Sequence, residues 1–189
     1  LDYAFEDDFV GITLGSEDSE VNGLAVTHEL ENEVLDYSIN NNVNTLITYH
    51  PPSIKKKIEA DGSESFEEDT MTSKFREAGI NVITLHTAQD VCIGGNADVL
   101  VDLFEMTNTD VFAHTTGEFG AGRLGDIQKI SSAELLETIE SKLNTRIVRT
   151  NKYFQTLKMI NSIAILPGSG TQFLDEVLTK ADVFITGDV

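Results

Sequence analysis

Two short apolar runs in this chain lead into side chains that can bind a metal ion. Residues 43–48 lead into His50, and residues 80–85 lead into His86 and, four residues later, Asp90. In an open α/β sheet the ligand crevice lies beyond the carboxyl ends of the parallel strands, so successive strands bring such side chains to one edge. We therefore expect His50 and Asp90 to meet around a shared cation pocket.

The chemistry of these side chains suits a divalent metal. Two prolines follow His50 and stiffen the backbone that carries its imidazole. Asp90 supplies an anionic oxygen that can bridge two cations, and His86 can either ligate or hold Asp90 by a hydrogen bond. Imidazole and carboxylate together favour zinc, manganese or iron(II). The alternative is a structural His50 and a strand-end turn in which Thr87 and Asp90 cap the next helix.

Other motifs carry weaker signals. Residues 168–170, Gly-Ser-Gly, lie between a predicted strand and a predicted helix, where they can offer backbone N–H groups to an anion or simply form a tight turn. Residues 120–125 match the dinucleotide fingerprint in letters only, because no clear strand precedes them and no helix starts at the last glycine. We keep Arg123 as a candidate anion contact. His28 and His114 lack a partner at ligand spacing and are interpreted as surface or structural residues.

Composition restricts the class of partner. The chain has 189 residues, with 32 acidic and 13 basic side chains and a formal net charge of −19. Such a charge makes binding to nucleic acid or to an anionic membrane unfavourable. A single cysteine cannot form an internal disulfide, and neither a signal peptide nor a membrane span is evident, so a cytoplasmic setting is expected. The chain starts without Met and stops behind an apolar run, so we expect both ends to be cut.

Hydrophobic periodicity predicts alternating strands and helices. The predicted strands are residues 9–14, 24–26, 43–48, 80–85, 145–150, 160–166 and 182–186. The predicted helices are residues 29–42, 67–78 and 96–106, a helix that begins at the capping box of Ser131 and Glu134, and a last one that follows residues 167–170. Residues 53–69 are predicted to form a polar surface loop. The glycine- and threonine-rich residues 107–126 are expected to be a junction, with room for antiparallel hairpin strands.

This order of elements predicts an α/β fold made of two related α/β halves, with mainly parallel sheets flanked by helices. The first half, residues 1–110, carries the metal motifs. The second half, residues 111–189, is expected to be incomplete at its C-terminus.

Six motifs in order give the chain a family resemblance. They are residues 8–12 (DFVGI), 48–51 (TYHP), 85–90 (LHTAQD), 122–125 (GRLG), 167–170 (PGSG) and 181–188 (ADVFITGD). Together they resemble the NIF-three-like dinuclear metal-binding family, whose members are often labelled GTP cyclohydrolase I type 2 homologues. The resemblance spans nearly the whole chain.

The resemblance implies a toroidal homo-hexamer with two divalent metals per site. It implies that His50 matches the second His of a His-His-Pro motif, that Asp90 matches the bridging carboxylate, and that His86 supports the ligands from outside the metal's contacts. Tyr49 stands where the family has the first His, and the family's last His and Glu would follow Val189. A phenol is a poor substitute for a neutral imidazole, so one metal position is expected to be weakened.

Two functions follow from this combination. The first is a metal-dependent hydrolase acting on nucleotide-like or phosphorylated small molecules, with Asp90 holding the cation and residues 168–170 holding an anionic group. The second is a non-catalytic metal-binding or scaffold protein with a degraded metal site, which presents surfaces to protein partners. Tyr49 favours the second.

Overall fold

The computed structural model describes residues 1–59, 61–146 and 149–187. The chain forms two compact units, Leu1–Gln89 and Asp90–Val189. The predicted junction at residue 110 falls inside the second of these units. Strands and helices alternate through most of the chain, and the predicted α/β fold with sheets flanked by helices is confirmed.

The first unit is built on a four-stranded sheet with the strand order β1-β6-β3-β2. These strands are β1 (Gly11–Leu14), β2 (Leu24–Thr27), β3 (Thr45–Thr48) and β6 (Asn81–Thr84). Strands β2, β3 and β6 run parallel, while β1 pairs antiparallel with β6. The three parallel strands therefore end at one edge of the sheet, as the apolar runs predicted.

Two helices of this unit bring apolar side chains to its core. They are α1 (Asn32–Asn40) and α2 (Thr70–Glu77). The buried core contains Leu46, Phe75 and Val82, and Val34 and Met71 pack against it. Burial of these side chains is the main favourable contribution to this unit's stability.

The ends of α2 follow from local chemistry. Asp69 caps its first turn, because the Asp69 carboxylate accepts a hydrogen bond of 2.7 Å from the backbone N–H of Thr72. Gly79 lies just beyond the helix with a φ of 69°, a left-handed conformation that glycine adopts without steric cost. The helix begins later than residue 67, the predicted start, because residues 64–68 belong to a strand.

The predicted surface loop at residues 53–69 is wrong. This segment contains an antiparallel hairpin of β4 (Ile54–Ile58) and β5 (Glu64–Glu68). Most side chains of both strands are exposed, so the sequence lacks the alternation that marks a half-buried strand. Lys56, the middle one of three consecutive lysines at residues 55–57, forms an ion pair of 2.7 Å with Glu64 across the hairpin.

The second unit contains another four-stranded sheet, with the order β10-β9-β8-β7. Its strands are β7 (Thr107–His114), β8 (Gly120–Ile130), β9 (Ile160–Leu166) and β10 (Val183–Thr186). Strand β8 pairs antiparallel with both β7 and β9, and only β9 and β10 are parallel. The mainly parallel pairing expected of both halves thus holds in the first sheet and not in the second, where the glycine-rich junction forms the two long antiparallel strands.

The helices of the second unit are α4 (Asn96–Leu103), α5 (Ser132–Lys142) and the one-turn α6 (Leu174–Val177), while α3 (His86–Val91) begins in the first unit. The predicted capping box is confirmed, since Ser131 and Glu134 exchange hydrogen bonds at the start of α5. Leu135 lies in a buried cluster with Ile163.

Two further predictions concern the second unit. Residues 147 and 148 of the predicted strand 145–150 lie outside the described residues, and its described residues form no strand. Within the described ranges, no helix has both the length and the apolar character needed to cross a bilayer.

Candidate metal centre

Backbone hydrogen bonds align the residues that follow the parallel strands of the first unit. The N–H of His50 donates to the carbonyl of His28 at 2.8 Å, and the N–H of His86 donates to the carbonyl of Tyr49 at 3.0 Å. The hydrogen-bonded ladder therefore continues beyond the ends of β2, β3 and β6. The side chains that follow these strands are held in register by main-chain geometry.

The rings of three of these residues lie against one another. The centroids of His50 and His86 are 5.8 Å apart, and the Tyr49 ring lies 5.1 Å from His50 and 5.6 Å from His86. Two imidazoles predicted from separate strands are thus brought together at one edge of the sheet. The phenol ring of Tyr49 therefore lies beside both imidazoles.

His86 is fixed by its backbone and by a carboxylate. Its φ of 35° lies in the left-handed region, where a residue with a side chain is strained, and such strain concentrates at functional sites. Its Nδ1 lies 2.7 Å from Oδ1 of Asp8. Because a carboxylate can only accept, Nδ1 carries the proton and Nε2 of a neutral ring keeps the lone pair that can bind a metal.

Asp8 is itself held by several donors. Its Oδ2 accepts from the Thr87 N–H at 3.1 Å and also from the Thr87 hydroxyl. Burial raises the pKa of the Asp8 carboxyl, but hydrogen bonds from Thr87 and His86 outweigh burial, and the pKa lies below its ordinary value. Asp8 therefore stays ionised, caps the first turn of α3 and orients the His86 ring.

Asp8 is a residue whose role was missed from the sequence. In the sequence Asp8 is only one residue of the motif at residues 8–12, and nothing in that motif signals a partner about 80 positions away. The predicted helix-capping role of Thr87 and Asp90 also changes, since Asp8 provides the cap and Thr87 binds it.

Asp90 is buried, with 4% of its surface exposed. Its Oδ1 accepts a hydrogen bond of 2.7 Å from the side-chain amide of Asn96, at the start of α4. This bond fixes the orientation of the carboxylate within the second unit. The meeting of Asp90 with His50 stays a prediction.

His28 is exposed, as its interpretation as a surface residue predicts, but it does have partners at ligand distance, which its sequence spacing did not show. Its ring centroid lies 4.5 Å from that of His50 and 5.2 Å from that of Tyr49. His28 follows β2 as His50 follows β3, so the rule that selected His50 applies equally to His28. The weak three-residue apolar run before it, residues 24–26, hid that signal.

Arg123 is not a free anion contact. Its side chain is about 10% exposed, Nε donates to Oδ1 of Asp98 at 2.8 Å, and Nη1 donates to the carbonyls of Gly120 and Gly122. The guanidinium is thus used for internal bonds of the second unit. The glycine run lies within β8, which agrees with its rejection as a nucleotide motif. At Gly122 a Cβ would lie 2.3 Å from the Phe112 ring, so strand packing explains that glycine.

Residues 168–170 form the turn after β9 but not the start of a long helix. They precede a single 3₁₀ turn, Thr171–Phe173, and the four-residue α6. The hydroxyl of Thr186 donates to the carbonyl of Gly168 at 2.8 Å, which ties the turn to β10. A helix this short has little dipole to offer an anion, so the tight-turn interpretation is the better one.

The chain resembles known proteins over most of its length. It is 32% identical over 188 residues to a Lactococcus lactis protein named GTP cyclohydrolase 1 type 2 homolog, an alignment that covers 98% of this chain and 71% of the relative. A Staphylococcus aureus hypothetical protein superposes with a TM-score of 0.75 at 25% identity, over 99% of this chain and 74% of the other. A Bacillus cereus protein related to NIF3 superposes with a TM-score of 0.77 over 99% of this chain and 78% of the other, at 18% identity, which shows a shared fold.

The family match has the same extent. Residues 1–189, the whole sequence, match the family described as Duf34/NIF3 (NGG1p interacting factor 3). The order of the six motifs, the α/β fold and the histidines beyond the parallel strands agree with this match. The chain therefore belongs to the Duf34/NIF3 family.

Proposed function

We propose that this chain binds a divalent metal ion through His50 and Asp90, with His86 beside them, and hydrolyses a nucleotide-like or phosphorylated small molecule. The observation that carries the proposal is the convergence of His50 and His86 beyond two parallel strands. The Asp8 carboxylate binds Nδ1 of His86, so Nε2 is the nitrogen of this ring that can bind a metal. Imidazole and carboxylate donors fit zinc, manganese or iron(II).

Each of these residues has a separate role in such a site. The two prolines after His50 restrict its backbone, and the Asp8 carboxylate fixes the His86 ring and makes Nε2 more basic. Asn96 holds Asp90 in one orientation. A bound divalent cation supplies Lewis acidity and activates water for hydrolysis. The name GTP cyclohydrolase 1 type 2 homolog, carried by the relatives, supports a nucleotide-like substrate.

Turnover by the whole chain tests the hydrolase. The protein is incubated with Mn²⁺ or Zn²⁺ and a panel of nucleotides and phosphoesters, alongside Asp90→Asn and His50→Gln. We expect both variants to lose the metal-dependent rate, and His114→Gln, an exposed histidine in the second unit, to keep it. Equal rates in wild type and Asp90→Asn would exclude the proposed role of Asp90.

Tyr49 favours a second function, non-catalytic metal binding or scaffolding. The Tyr49 phenol lies beside His50 and His86, and a phenol is a weaker ligand than an imidazole for a zinc-type metal ion. Metal analysis separates the two functions, because stoichiometric metal without turnover indicates binding alone, while turnover that requires the metal indicates the hydrolase.

The family resemblance also leads us to propose a cytoplasmic homo-oligomer, with a toroidal hexamer as the expected form and with protein partners on its surfaces. Sedimentation velocity of the chain tests the assembly. A single species at the monomer mass of 20.7 kDa would count against it for this chain.

A further inference from the structure

His28, Glu29 and His50 form a cluster of metal-binding side chains that the proposed function does not use as a set. One potential ligand atom from each of the three lies within 4.8 Å of the others. His28 and Glu29 are exposed and His50 is half-buried. All three belong to the first unit.

The backbone fixes the three side chains on one edge. His28 and His50 share the 2.8 Å backbone hydrogen bond that continues the ladder beyond β2 and β3. The Thr27 hydroxyl donates to the carbonyl of Glu29 at 3.1 Å, which stabilises the turn that carries Glu29. The positions of the ligands therefore depend on strand pairing and on a local turn.

The rings of His28, His50 and Tyr49 pack against one another. The His28 and His50 rings meet edge to face, with an interplanar angle of 70° and centroids 4.5 Å apart. The Tyr49 ring stacks on the His28 ring, with an interplanar angle of 21° and centroids 5.2 Å apart. Nδ1 of His28 lies 3.6 Å from Oε1 of Glu29. Ligand atoms around a tetrahedral zinc lie about 3.3 Å apart, so side-chain movements of about 1 Å complete the geometry.

We infer that His28, Glu29 and His50 bind a zinc-type divalent transition metal ion. Two imidazoles and one carboxylate are a donor set of open zinc sites, and they are a poor match to Mg²⁺ or Ca²⁺, which prefer oxygen ligands. The exposure of His28 and Glu29 leaves room for water or a small anionic ligand in the remaining position. The inference rests on the proposed function in one respect, the use of His50 as a ligand, and it does not require Asp90.

A surface ion pair is the simpler account of His28 and Glu29, and it makes a different prediction. An exposed pair of this kind contributes little and has no reason to involve His50. A metal site requires all three side chains. The two accounts therefore differ in whether removal of His28 or Glu29 changes the affinity of the chain for metal.

Calorimetric titration of the whole chain with Zn²⁺ tests the inference. We expect His28→Gln and Glu29→Gln each to lower the affinity by at least about tenfold, because even groups that only support ligands are worth that much. His114→Gln is the matched control and is expected to bind as wild type does. Both altered side chains are exposed, so far-UV circular dichroism should show unchanged folding.

Asp90→Asn separates this inference from the proposed function. Weakened binding in His28→Gln and Glu29→Gln supports the inference, whether or not Asp90→Asn is also weakened. Unchanged binding in Asp90→Asn then counts against the proposed ligand set alone. Weakened binding in Asp90→Asn, with His28→Gln and Glu29→Gln unchanged, overturns the inference and leaves the proposed function in place. No Zn²⁺ binding by the wild-type chain overturns the inference, whereas the proposed function, which also admits manganese or iron(II), is decided by the turnover assay with Mn²⁺.

A second measurement identifies the ligands directly. Long-range nitrogen–proton NMR spectra resolve the ring nitrogens of each histidine. We expect Zn²⁺ to shift one ring nitrogen of His28 and one of His50, while His114 stays unchanged. Resonances of His28 that do not respond to Zn²⁺ would overturn the inference even if the chain binds the metal elsewhere.

Discussion

Replacing Thr84 by Val should destabilise the first unit, because Thr84 is the centre of a buried chain of hydroxyl groups. Its Oγ1 lies 2.8 Å from Oγ1 of Thr13 and 3.1 Å from Oγ1 of Thr48. The three threonines lie on β1, β3 and β6 and are at most 6% exposed. Thr48 and Thr84 are the last residues of their strands, directly before the residues of the candidate metal centre.

The structure sets the size of the effect. Valine has nearly the volume of threonine, so the substitution leaves no cavity, and the cost comes from two lost hydrogen bonds. Each is worth about 0.5–1.5 kcal/mol net, so Thr84→Val should lower the free energy of unfolding by about 1–3 kcal/mol. For a chain of 189 residues this lowers Tm by about 2–4 °C per kcal/mol.

A double-mutant cycle makes the prediction specific. Thr48→Val removes one of the two bonds and should cost about 0.5–1.5 kcal/mol. The variant with both substitutions loses the same two bonds as Thr84→Val and no longer buries an unpaired Thr48 hydroxyl. It should therefore be no less stable than Thr84→Val alone.

Urea denaturation followed by far-UV circular dichroism measures these differences, provided that the slope m stays constant between variants. The proposed role of the hydroxyl chain is wrong if Thr84→Val is as stable as wild type. It is also wrong if the losses in unfolding free energy caused by Thr48→Val and Thr84→Val are additive. Additivity would mean that the Thr48 and Thr84 hydroxyls do not interact.

Three further predictions concern the second unit. Asp98→Asn leaves the largely buried Arg123 without its charged partner and should lower the free energy of unfolding, measured by urea denaturation, by about 2 kcal/mol. The loss is smaller than for a fully buried ion pair because a third of the Asp98 side chain is exposed. Ser131→Ala removes the cap of α5 and should cost about 1 kcal/mol in the same assay, while Ser132→Ala should cost less. Hydrogen bonds from the Ser131 backbone and side chain lower the pKa of Glu134 in the folded chain. The ionised Glu134 therefore stabilises the fold fully above the ordinary carboxyl pKa, and this stabilisation is lost as the pH falls through the lowered pKa of the folded state. The stability difference between wild type and Glu134→Gln should therefore shrink in acid, and a difference independent of pH would contradict this.

The sequence predicted the elements whose signals are local. Strands β3, β6 and β9 are short and rich in apolar residues, and their observed bounds differ from the predicted ones by at most two residues. The cap of α5 was read from Ser131 and Glu134, whose bonding needs only residues in the same turn. The placement of the His50 and His86 segments at one edge was predicted because parallel strands end at the same edge, while the meeting of His50 with Asp90 stays a prediction.

The missed features depend on contacts between distant parts of the chain. The β4–β5 hairpin has exposed side chains on most positions, so no burial pattern marks it. Strand β8 contains three of the glycines that suggested a junction, and its pairing with β7 and β9 decides its structure. The contacts of Asp8 with His86 and of His28 with His50 form only when distant segments of the chain are assembled.

The main-chain hydrogen bonds beyond β2, β3 and β6 have a consequence for how this protein can change over evolutionary time. They hold residues 28, 49, 50 and 86 in place through backbone atoms that every amino acid except proline possesses. Exchanging a side chain at one of these positions therefore leaves the spacing of the others intact. A ligand can be lost at one position and a new one gained at its neighbour without rebuilding the sheet, and a tyrosine at position 49 beside a histidine at position 28 is the outcome that such freedom permits.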